Sequence, residues 1–540
     1  MFLPELKELS RYDIYGIFFD FLYVRQPCYC KWCRDRFYKE HGYDIPEDTE
    51  SPRWKEYTEW WRSIGREIRE KALKTIHSVN PNIKVGVNWS YTTRQPEIPP
   101  EDIGFLTLDI NETSCPVLNA SYHSKYLNTL GKPFDIMTTR FLKWWGDWGL
   151  KPLKTMEIEV ATVMANGGLT IIGDHFYVDG SFEEKILDIF RKLFNFIKSR
   201  ELFDKDTESM PYIAVLHSME TGYSRGMGIL ADEKPIRGTH KILLENNLHF
   251  DIVNEYTLLK NIDQYTLIIL PSQRYLPRNL IEKIKEFVKK GGYVIATYDT
   301  SLKKSKFELS EIFGVRYLKN LDYPFAYIKP SNHTIFREIP DMPIFTKGRF
   351  LEIENDTADV VAYRLNPYIV KGEEGWSKWL GAGYGSPILD EEYPAITINE
   401  YGEGKASYIA TELFASYFQY NNWLIRKIVK SLIEKIIPDT EKIIEVSATP
   451  TVEVTLRKRR NEYIIHLVNW HTEKIYSMPT ITEKIPTLEN IDIKLKLDHK
   501  PKEIRTYPSD NEIEWSYKER ILMIKLPKLQ LHTIIDIKTI

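Results

Sequence analysis

Cysteine is scarce in this sequence, with four among 540 residues. Three of them, Cys28, Cys30 and Cys33, lie within six positions, which is too close for a regular disulfide framework. The spacing therefore disfavours a disulfide framework, and the cluster favours a metal site instead.

Charge of one sign and long apolar runs are also missing. Lysine and arginine total 73 against 76 aspartates and glutamates, for a net charge of −3, so no overall field attracts nucleic acid or an anionic membrane. No apolar run approaches the roughly 18–20 residues of a membrane-spanning helix, and residues 1–13 lack the layout of a signal peptide. We expect a cytoplasmic protein without nucleic-acid or membrane partners.

The length and composition are those of a protein with several packed cores. About one domain per 100–200 residues predicts three domains, and 43% hydrophobic residues are enough to fill them. Glutamine is rare while lysine, glutamate and isoleucine are abundant, a bias reported for hyperthermophile proteins. The composition thus suggests a thermophilic source.

The first two hundred residues alternate between apolar strands and amphipathic helices, as βα units on a parallel sheet do. The pattern predicts strands at 15–21, 83–88, 104–110, 133–139 and 167–172, with helices at 54–78, 153–165 and 182–198. We assign residues 1–205 to a (β/α)-barrel domain.

Two further domains follow. Strands at 212–217, 266–270, 293–297 and 406–410, with a helix at 280–290, predict a flavodoxin-like α/β domain over residues 206–440. Alternating strands at 451–456, 462–468, 491–497 and 521–526 predict a β-sandwich over residues 441–540. A class I glutamine amidotransferase, which the middle domain resembles, is excluded because no cysteine follows Cys115.

Polar or aromatic residues follow each of the five early strands, and in a (β/α)8 barrel such positions converge on one mouth. Two carboxylates there are suited to act as nucleophile and general acid/base on a glycosidic bond. Asp20 is the first candidate because it ends an almost uninterrupted apolar strand, and Glu112 is the second. The alternative for each is a helix cap or an ordinary ion pair.

The candidate substrate-binding residues lie around the same predicted mouth. Aromatic rings are suited to stack on sugars, although tryptophans grouped in one loop also form simple hydrophobic clusters. The candidates are Asn88, Trp89, His123, Arg140, Trp144, Trp145, Glu159, Asp174 and His175.

Cys28, Cys30 and Cys33 have the spacing of three thiolates that bind one tetrahedral zinc ion in a structural role. Three alternatives stay open: Cys115 supplies the fourth ligand, the site is incomplete, or the thiols are buried small side chains. No cofactor is expected for catalysis.

Several segments together resemble a known combination of domains. They are YGIFFDF with PCYCKWCRDRF (15–37), Asn111-Glu112, GKPFDIMTTRF (131–141) with WWGDW, EVATVMANGG (159–168), GDHFYVDG (173–180) and IIHLVNW (464–470). The set resembles a glycosyl hydrolase barrel joined to a β-galactosidase trimerisation domain. This combination occurs in glycoside hydrolase family 151 α-L-fucosidases and, more distantly, in family 42 β-galactosidases.

The resemblance implies a retaining α-L-fucosidase that acts on a carbohydrate substrate and assembles as a homotrimer, with a β-galactosidase as the nearest alternative among enzymes. It implies that Asp20 is the nucleophile at the end of barrel strand four, that Glu112 is the acid/base with Glu159 as the second choice, and that the three cysteines hold zinc. It also implies that the first three βα units of the barrel are not in this sequence. Three alternatives follow: a late reading frame, a separate chain that supplies these units, or a non-catalytic subunit with an assembly role.

Overall fold

The early strands form one parallel sheet in the computed structural model, which describes residues 2–20, 22, 27–89, 96–110, 116–143, 145–226, 231–331, 334–368, 370–372, 375–377, 385–471, 481–508 and 512–539. The sheet has five strands in the order β1-β2-β3-β4-β5, all parallel. In chain order its elements are α1 (Leu3–Leu9), β1 (Gly16–Phe19), α2 (Lys31–His41), α3 (Trp54–His77), β2 (Lys84–Asn88), β3 (Phe105–Asp109), α4 (Pro116–Leu127), β4 (Phe134–Thr139), α5 (Leu153–Ala165), β5 (Leu169–Gly173), α6 (Glu184–Lys198) and α7 (Glu201–Asp204).

The predicted βα pattern is therefore confirmed, with strand ends that differ by one or two residues. One face of this sheet packs on helices: Leu106, Leu108 and Ile136 are buried in a cluster with Leu73 and Ile76 of α3. Alternate residues of the same strands point to the other face, because side chains alternate along a strand. The carboxyl ends of the strands lie along one edge and carry the candidate site.

The middle of the chain forms a nine-stranded sheet in the order β15-β14-β17-β20-β21-β10-β9-β7-β8. The elements of this part of the chain, which include strands outside that sheet, are β6 (Glu208–Ser209), β7 (Ile213–Leu216), α8 (Met219–Ser224), α9 (Lys234–Glu245), β8 (Phe250–Val253), α10 (Glu255–Asn261), β9 (Leu267–Leu270), α11 (Arg278–Lys289), β10 (Tyr293–Thr297), β11 (Leu302–Lys303), β12 (Lys306–Phe307), α12 (Ser310–Phe313), β13 (Val315–Leu321), β14 (Phe325–Pro330), β15 (Ile344–Lys347), β16 (Phe350–Asn355), β17 (Asp359–Pro367), β18 (Val370–Gly372), β19 (Gly375–Ser377), β20 (Pro387–Tyr401), β21 (Gly404–Ile409), α13 (Leu413–Tyr420) and α14 (Trp423–Ile436).

The four strands predicted here, β7, β9, β10 and β21, are parallel neighbours, as a flavodoxin-like sheet requires. The sequence analysis did not find the antiparallel half, β14, β15, β17 and β20. Long stretches of β20 are polar and half-exposed, so the apolar pattern that marks a strand is interrupted there.

The C-terminal part consists of two antiparallel sheets, β22-β25-β28-β27 and β26-β29-β24-β23-β6. Its strands are β22 (Ile444–Ser447), β23 (Val452–Arg459), β24 (Glu462–Asn469), β25 (Leu488–Lys496), β26 (Glu503–Tyr507), β27 (Glu514–Lys518), β28 (Ile521–Leu529) and β29 (His532–Lys538). Buried residues of both sheets share one hydrophobic cluster, as in a sandwich. Strand β6 comes from residues 208–209 and pairs with β23.

A buried polar contact joins the C-terminal sheets to the N-terminal helices. Glu453 of β23 accepts hydrogen bonds from Ser121 of α4 at 2.8 Å and from Asn166 after α5 at 3.0 Å. Lys125 Nζ lies 3.3 Å from the same carboxylate, and both side chains are almost fully buried. The three parts of the chain are thus packed together.

No helix in the described ranges is both long and apolar enough to cross a membrane.

Candidate active site at the strand ends

Three polar side chains meet at the carboxyl ends of β1, β2 and β3. Asn88 Nδ2 donates to Asp20 Oδ1 at 2.9 Å and to Asp109 Oδ2 at 3.3 Å. Asp20 is exposed, whereas Asn88 is buried. One amide group therefore orients two carboxylates and leaves that of Asp20 open to a bound molecule.

Two further features of this edge are electrostatic. Burial raises the pKa of Asp109, the negative charge of Asp20 raises it further, and the hydrogen bond from Asn88 acts in the opposite direction. Burial also raises the pKa of Asp135 on β4 to about 6, where the charge of Asp109 adds to the effect and a bond from Thr107 opposes it. Two carboxyl groups whose pKa values are raised by burial, Asp109 and Asp135, thus lie on the neighbouring strands β3 and β4.

Arg140 and Asp174 form the second half of the edge, after β4 and β5. Arg140 Nε donates to Asp174 Oδ1 at 2.5 Å, Arg140 Nη1 donates to the carbonyl oxygen of Gly149 at 3.1 Å, and both charged side chains are buried. The remaining guanidinium nitrogen, Nη2, is buried and has no hydrogen-bond partner in the described ranges. A buried donor without a partner is costly, which makes it a candidate contact for a bound oxygen atom.

An aromatic surface borders this pair. Trp145 and Trp148 are each roughly half exposed, and Trp148 stacks on Tyr177 at a centroid distance of 4.7 Å and an interplanar angle of 15°. The exposed ring of His175 lies 6.3 Å from that of Trp145. Asp147 fixes the loop by accepting hydrogen bonds from three backbone amides, those of Leu142, Lys143 and Gly149. Such exposed, fixed rings are suited to stack on a sugar.

Glu159 is not at this edge. It is fully buried on α5, where it accepts hydrogen bonds from Lys151 at 3.0 Å and from Thr138. Thr138 alternates with the β4 residues that share a face with Asp135, so Glu159 lies on the helix-covered side of the sheet. The structure therefore places it in an ion pair of the core.

Two other predicted contact residues are also buried away from solvent. Trp89 is 2% exposed and lies beneath the guanidinium of Arg69, 5.5 Å from its ring centroid. His123 is buried on α4, where its ring lies 5.4 Å from that of Tyr122. Neither presents an exposed ring to the edge that carries Asp20.

Two candidates, Glu112 and Trp144, lie outside the described residues, as does Cys115.

The three clustered cysteines are free thiols whose sulfur atoms lie within 4.8 Å of one another. The backbone amide of Cys28 donates a hydrogen bond to Tyr57 Oη at 2.8 Å. The cysteine cluster thus lies against the aromatic cluster of α2 and α3. Three sulfurs at this separation fit around one ion with Zn–S distances of about 2.3 Å. In the described ranges no fourth cysteine, histidine or carboxylate joins them.

Sequence reasoning missed Asp135 and gave Asp109 no role. The pattern that identifies both is the alternation along β3 and β4, where every second residue of FLTLD and FDIMTT faces the side away from the helices. Tyr177 was also missed, since only its stacking on Trp148 marks it.

The fold and this edge place the chain among α/β proteins whose sites lie at the carboxyl ends of parallel strands. Solved structures with the same overall fold are glycoside hydrolases. An α-L-fucosidase isoenzyme 2 from Paenibacillus thiaminolyticus aligns with a TM-score of 0.82 at 20% identity, over 100% of this chain and 79% of that one. A β-galactosidase from Bacillus circulans sp. alkalophilus aligns with a TM-score of 0.67 at 13% identity, over 100% and 82%.

Sequence comparisons agree with this fold. Residues 225–319 match the model of the "Beta-galactosidase trimerisation domain" family. The β-galactosidase LacZ of Heyndrickxia coagulans is 23% identical over 239 residues, which are 44% of this chain and only 30% of that relative. The predicted resemblance to the glycosidase barrel with a trimerisation domain is therefore confirmed at the level of fold and of this segment.

Proposed function

We propose that this chain belongs to a retaining glycoside hydrolase that acts on α-L-fucosides. The observation that carries the proposal is the exposed carboxylate of Asp20, oriented by Asn88 at the carboxyl end of β1. The Paenibacillus α-L-fucosidase, whose fold covers the whole chain, favours this sugar over others.

In the proposed reaction, Asp20 attacks the anomeric carbon while an acid protonates the departing glycosidic oxygen. A water molecule then releases the sugar from the enzyme. Glu112, which lies outside the described residues, is the proposed acid/base. Arg140, Asp174, Trp145 and His175 form the proposed sugar-binding wall, with Arg140 Nη2 donating to a sugar oxygen.

A β-galactosidase is the second candidate. The family match at residues 225–319 and the Heyndrickxia relative favour it, since both carry that name. The same segment supports the proposal of a homotrimer. A subunit without activity of its own, whose role is assembly, is the third candidate.

The test is hydrolysis of aryl α-L-fucoside, aryl β-D-galactoside and other aryl glycosides by the purified chain and by Asp20→Gly. Asp13→Gly is the matched control, because Asp13 is also an exposed aspartate near β1 but lies before the strand, whereas Asp20 follows it. We expect turnover on the fucoside, a loss of at least about 10³-fold in Asp20→Gly, and an unchanged control.

Azide distinguishes a nucleophile from a residue that merely supports the fold. A small anion that enters the space left in Asp20→Gly is expected to restore turnover and to give a glycosyl azide of inverted configuration. Full activity in Asp20→Gly would contradict the assignment, and turnover on the galactoside alone would select the second candidate. Absence of turnover on every glycoside would select the subunit without activity.

We also propose that Cys28, Cys30 and Cys33 hold one structural zinc ion. The purified chain is expected to contain one zinc per chain, and Cys30→Ser is expected to contain none. Cys115→Ser separates the alternatives for the fourth ligand: loss of zinc identifies Cys115 as a ligand, and retention excludes it. A metal-free wild-type chain would contradict the proposal.

A further inference from the structure

A pocket of about 480 Å³ lies between the middle part of the chain and the C-terminal sandwich. Its walls come from the end of α9, one side of α14, and the strands β22 and β25. The described lining residues run from Tyr212 to Lys494, so the strand ends that carry Asp20 do not contribute to it. Pockets of this size between domains are common places for small molecules to bind. We call it the interdomain pocket.

The interdomain pocket contains a buried hydroxyl group without a partner. Tyr212, directly before β7, has no exposed surface, and its Oη has no hydrogen-bond partner among the described residues. Burial raises the pKa of this phenol, and the negative charge of Glu445, which also lines the pocket, raises it further. The hydroxyl therefore stays protonated and is free to donate. A buried donor of this kind is costly unless an oxygen atom of a ligand or of water accepts its proton.

The charged side chains of the walls balance one another. Five cationic and four anionic side chains line the pocket. Three cation–carboxylate pairs, with their N–O distances, are Arg426–Glu245 (3.9 Å), Lys430–Glu434 (3.7 Å) and Lys442–Glu445 (3.4 Å). Each distance exceeds the roughly 2.7–2.9 Å of a strong charge-assisted hydrogen bond, so these groups keep hydrogen-bonding capacity for a ligand. The walls thus present donors and acceptors side by side with little net charge.

Apolar surface lies among these charges. Ile433 of α14, Val446 of β22 and Ala448 after it line the same pocket, and the last two are partly exposed. A ligand that fits these walls therefore has C–H surface as well as polar groups.

We propose that the interdomain pocket binds a neutral saccharide of one or two rings, at a site separate from the strand ends that carry Asp20. A sugar hydroxyl donates and accepts hydrogen bonds at once, which matches walls where ammonium and carboxylate groups are neighbours. Tyr212 Oη donates to one sugar oxygen, and the C–H face of the ring packs on Val446 and Ala448. An ion of either sign fits less well, because it meets nearly as many like charges as opposite ones.

The inference does not depend on the proposed function, since its test measures binding and not hydrolysis. The full chain, labelled at its isoleucine methyl groups, is titrated with L-fucose, D-galactose, maltose and, separately, inorganic phosphate. The Ile433 methyl signal, identified by its loss in Ile433→Leu, reports binding in this pocket rather than near Asp20. We expect a saturable shift of that signal with at least one sugar and none with phosphate.

Tyr212→Phe tests the role of the buried hydroxyl. The variant removes one hydrogen bond to a neutral ligand, so we expect it to weaken sugar binding about 3- to 10-fold. Tyr126→Phe is the matched control, because Tyr126 is also fully buried but lies on α4, outside the pocket. We expect this control to bind the sugar as the wild-type chain does.

Two further variants separate a neutral ligand from an ion. Lys430→Met and Glu434→Met each remove a hydrogen-bonding group of opposite charge from the same helix face, and we expect both to weaken binding of the sugar. An anion would instead bind less tightly to Lys430→Met and more tightly to Glu434→Met. The proposal is overturned if no sugar shifts the Ile433 signal, if phosphate alone shifts it, or if Tyr212→Phe binds the sugar as tightly as the wild-type chain.

Discussion

The chain contains two parallel sheets that differ in what covers them. In the middle sheet, Ile269 of β9 belongs to one hydrophobic cluster while its neighbours Ile268 and Leu270 belong to another, so both faces are packed. In the N-terminal sheet, Leu106 and Leu108 of β3 lie in a cluster, while alternate β5 residues on the other face are exposed. Similar strands are thus packed on both faces in one region and on one face in the other.

This difference shows that strand composition and strand environment are separate properties. β5 has the sequence LTIIG and β9 has LIIL, and both are rich in β-branched or apolar residues. Their burial differs because helices flank the middle sheet on both sides, whereas the described N-terminal helices flank one side. Matched substitutions in the two sheets test this difference.

The largest expected effect comes from placing a lysine in each sheet. Ile269→Lys puts a charge between two packed layers and is expected to cost more than about 4 kcal/mol of unfolding free energy, enough to prevent folding. Ile171→Lys in the isolated chain is expected to cost less than about 1 kcal/mol, because the side chain reaches water. Thermal and denaturant unfolding measure both, and equal costs would contradict the difference between the sheets.

An intermediate effect is expected from replacing the buried Lys151, compared with the exposed Lys84 in the same part of the chain. Lys151→Met leaves Glu159 buried without its cation, which is expected to cost about 3–5 kcal/mol. Lys84→Met, on exposed Lys84 of β2, is expected to change stability by less than about 0.5 kcal/mol. Urea unfolding decides: a small effect of Lys151→Met would contradict the structural role given to Glu159 and return it to the acid/base candidates.

The smallest effect is a change of stability with pH at Asp135. Because the folded state raises the pKa of Asp135 to about 6, its protonated form favours folding at low pH, and that contribution is lost as the pH rises through about 6. Asp135→Asn is therefore expected to stabilise the chain by about 1 kcal/mol at pH 8, after allowance for partial exposure, and by almost nothing at pH 4. Asp13→Asn serves as the exposed control, and a stability difference that is the same at both pH values would contradict the shift.

Much of this architecture could be predicted because it is encoded locally. The five strands and helices α3, α5 and α6 follow from apolar periodicity, and the closeness of the three cysteines follows from their spacing. The strand-end placement of Asp20, Asn88, Arg140 and Asp174 follows from the position of each directly at the end of an apolar run.

What could not be predicted depends on residues distant in sequence. The helical pattern around Glu159 and His123 does not mark either residue as buried, and the cation that pairs with Glu159, Lys151, lies outside its helix. The antiparallel half of the middle sheet was not predicted, because a strand such as β20 mixes charged and apolar residues without strict alternation. Exposure of β5 depends on what packs against its outer face, which no local pattern within β5 reports.

The contact of Glu453 with Lys125, Ser121 and Asn166 limits how this protein can change over evolution. These groups come from the first and last parts of the chain, and all of them are buried at the contact. A C-terminal sandwich borrowed from another protein would leave the Lys125 ammonium without its counter-charge in an apolar interface. The sandwich is therefore not an interchangeable module, and recombination at the boundary near residue 441 is expected to succeed only when the partner helices are exchanged with it.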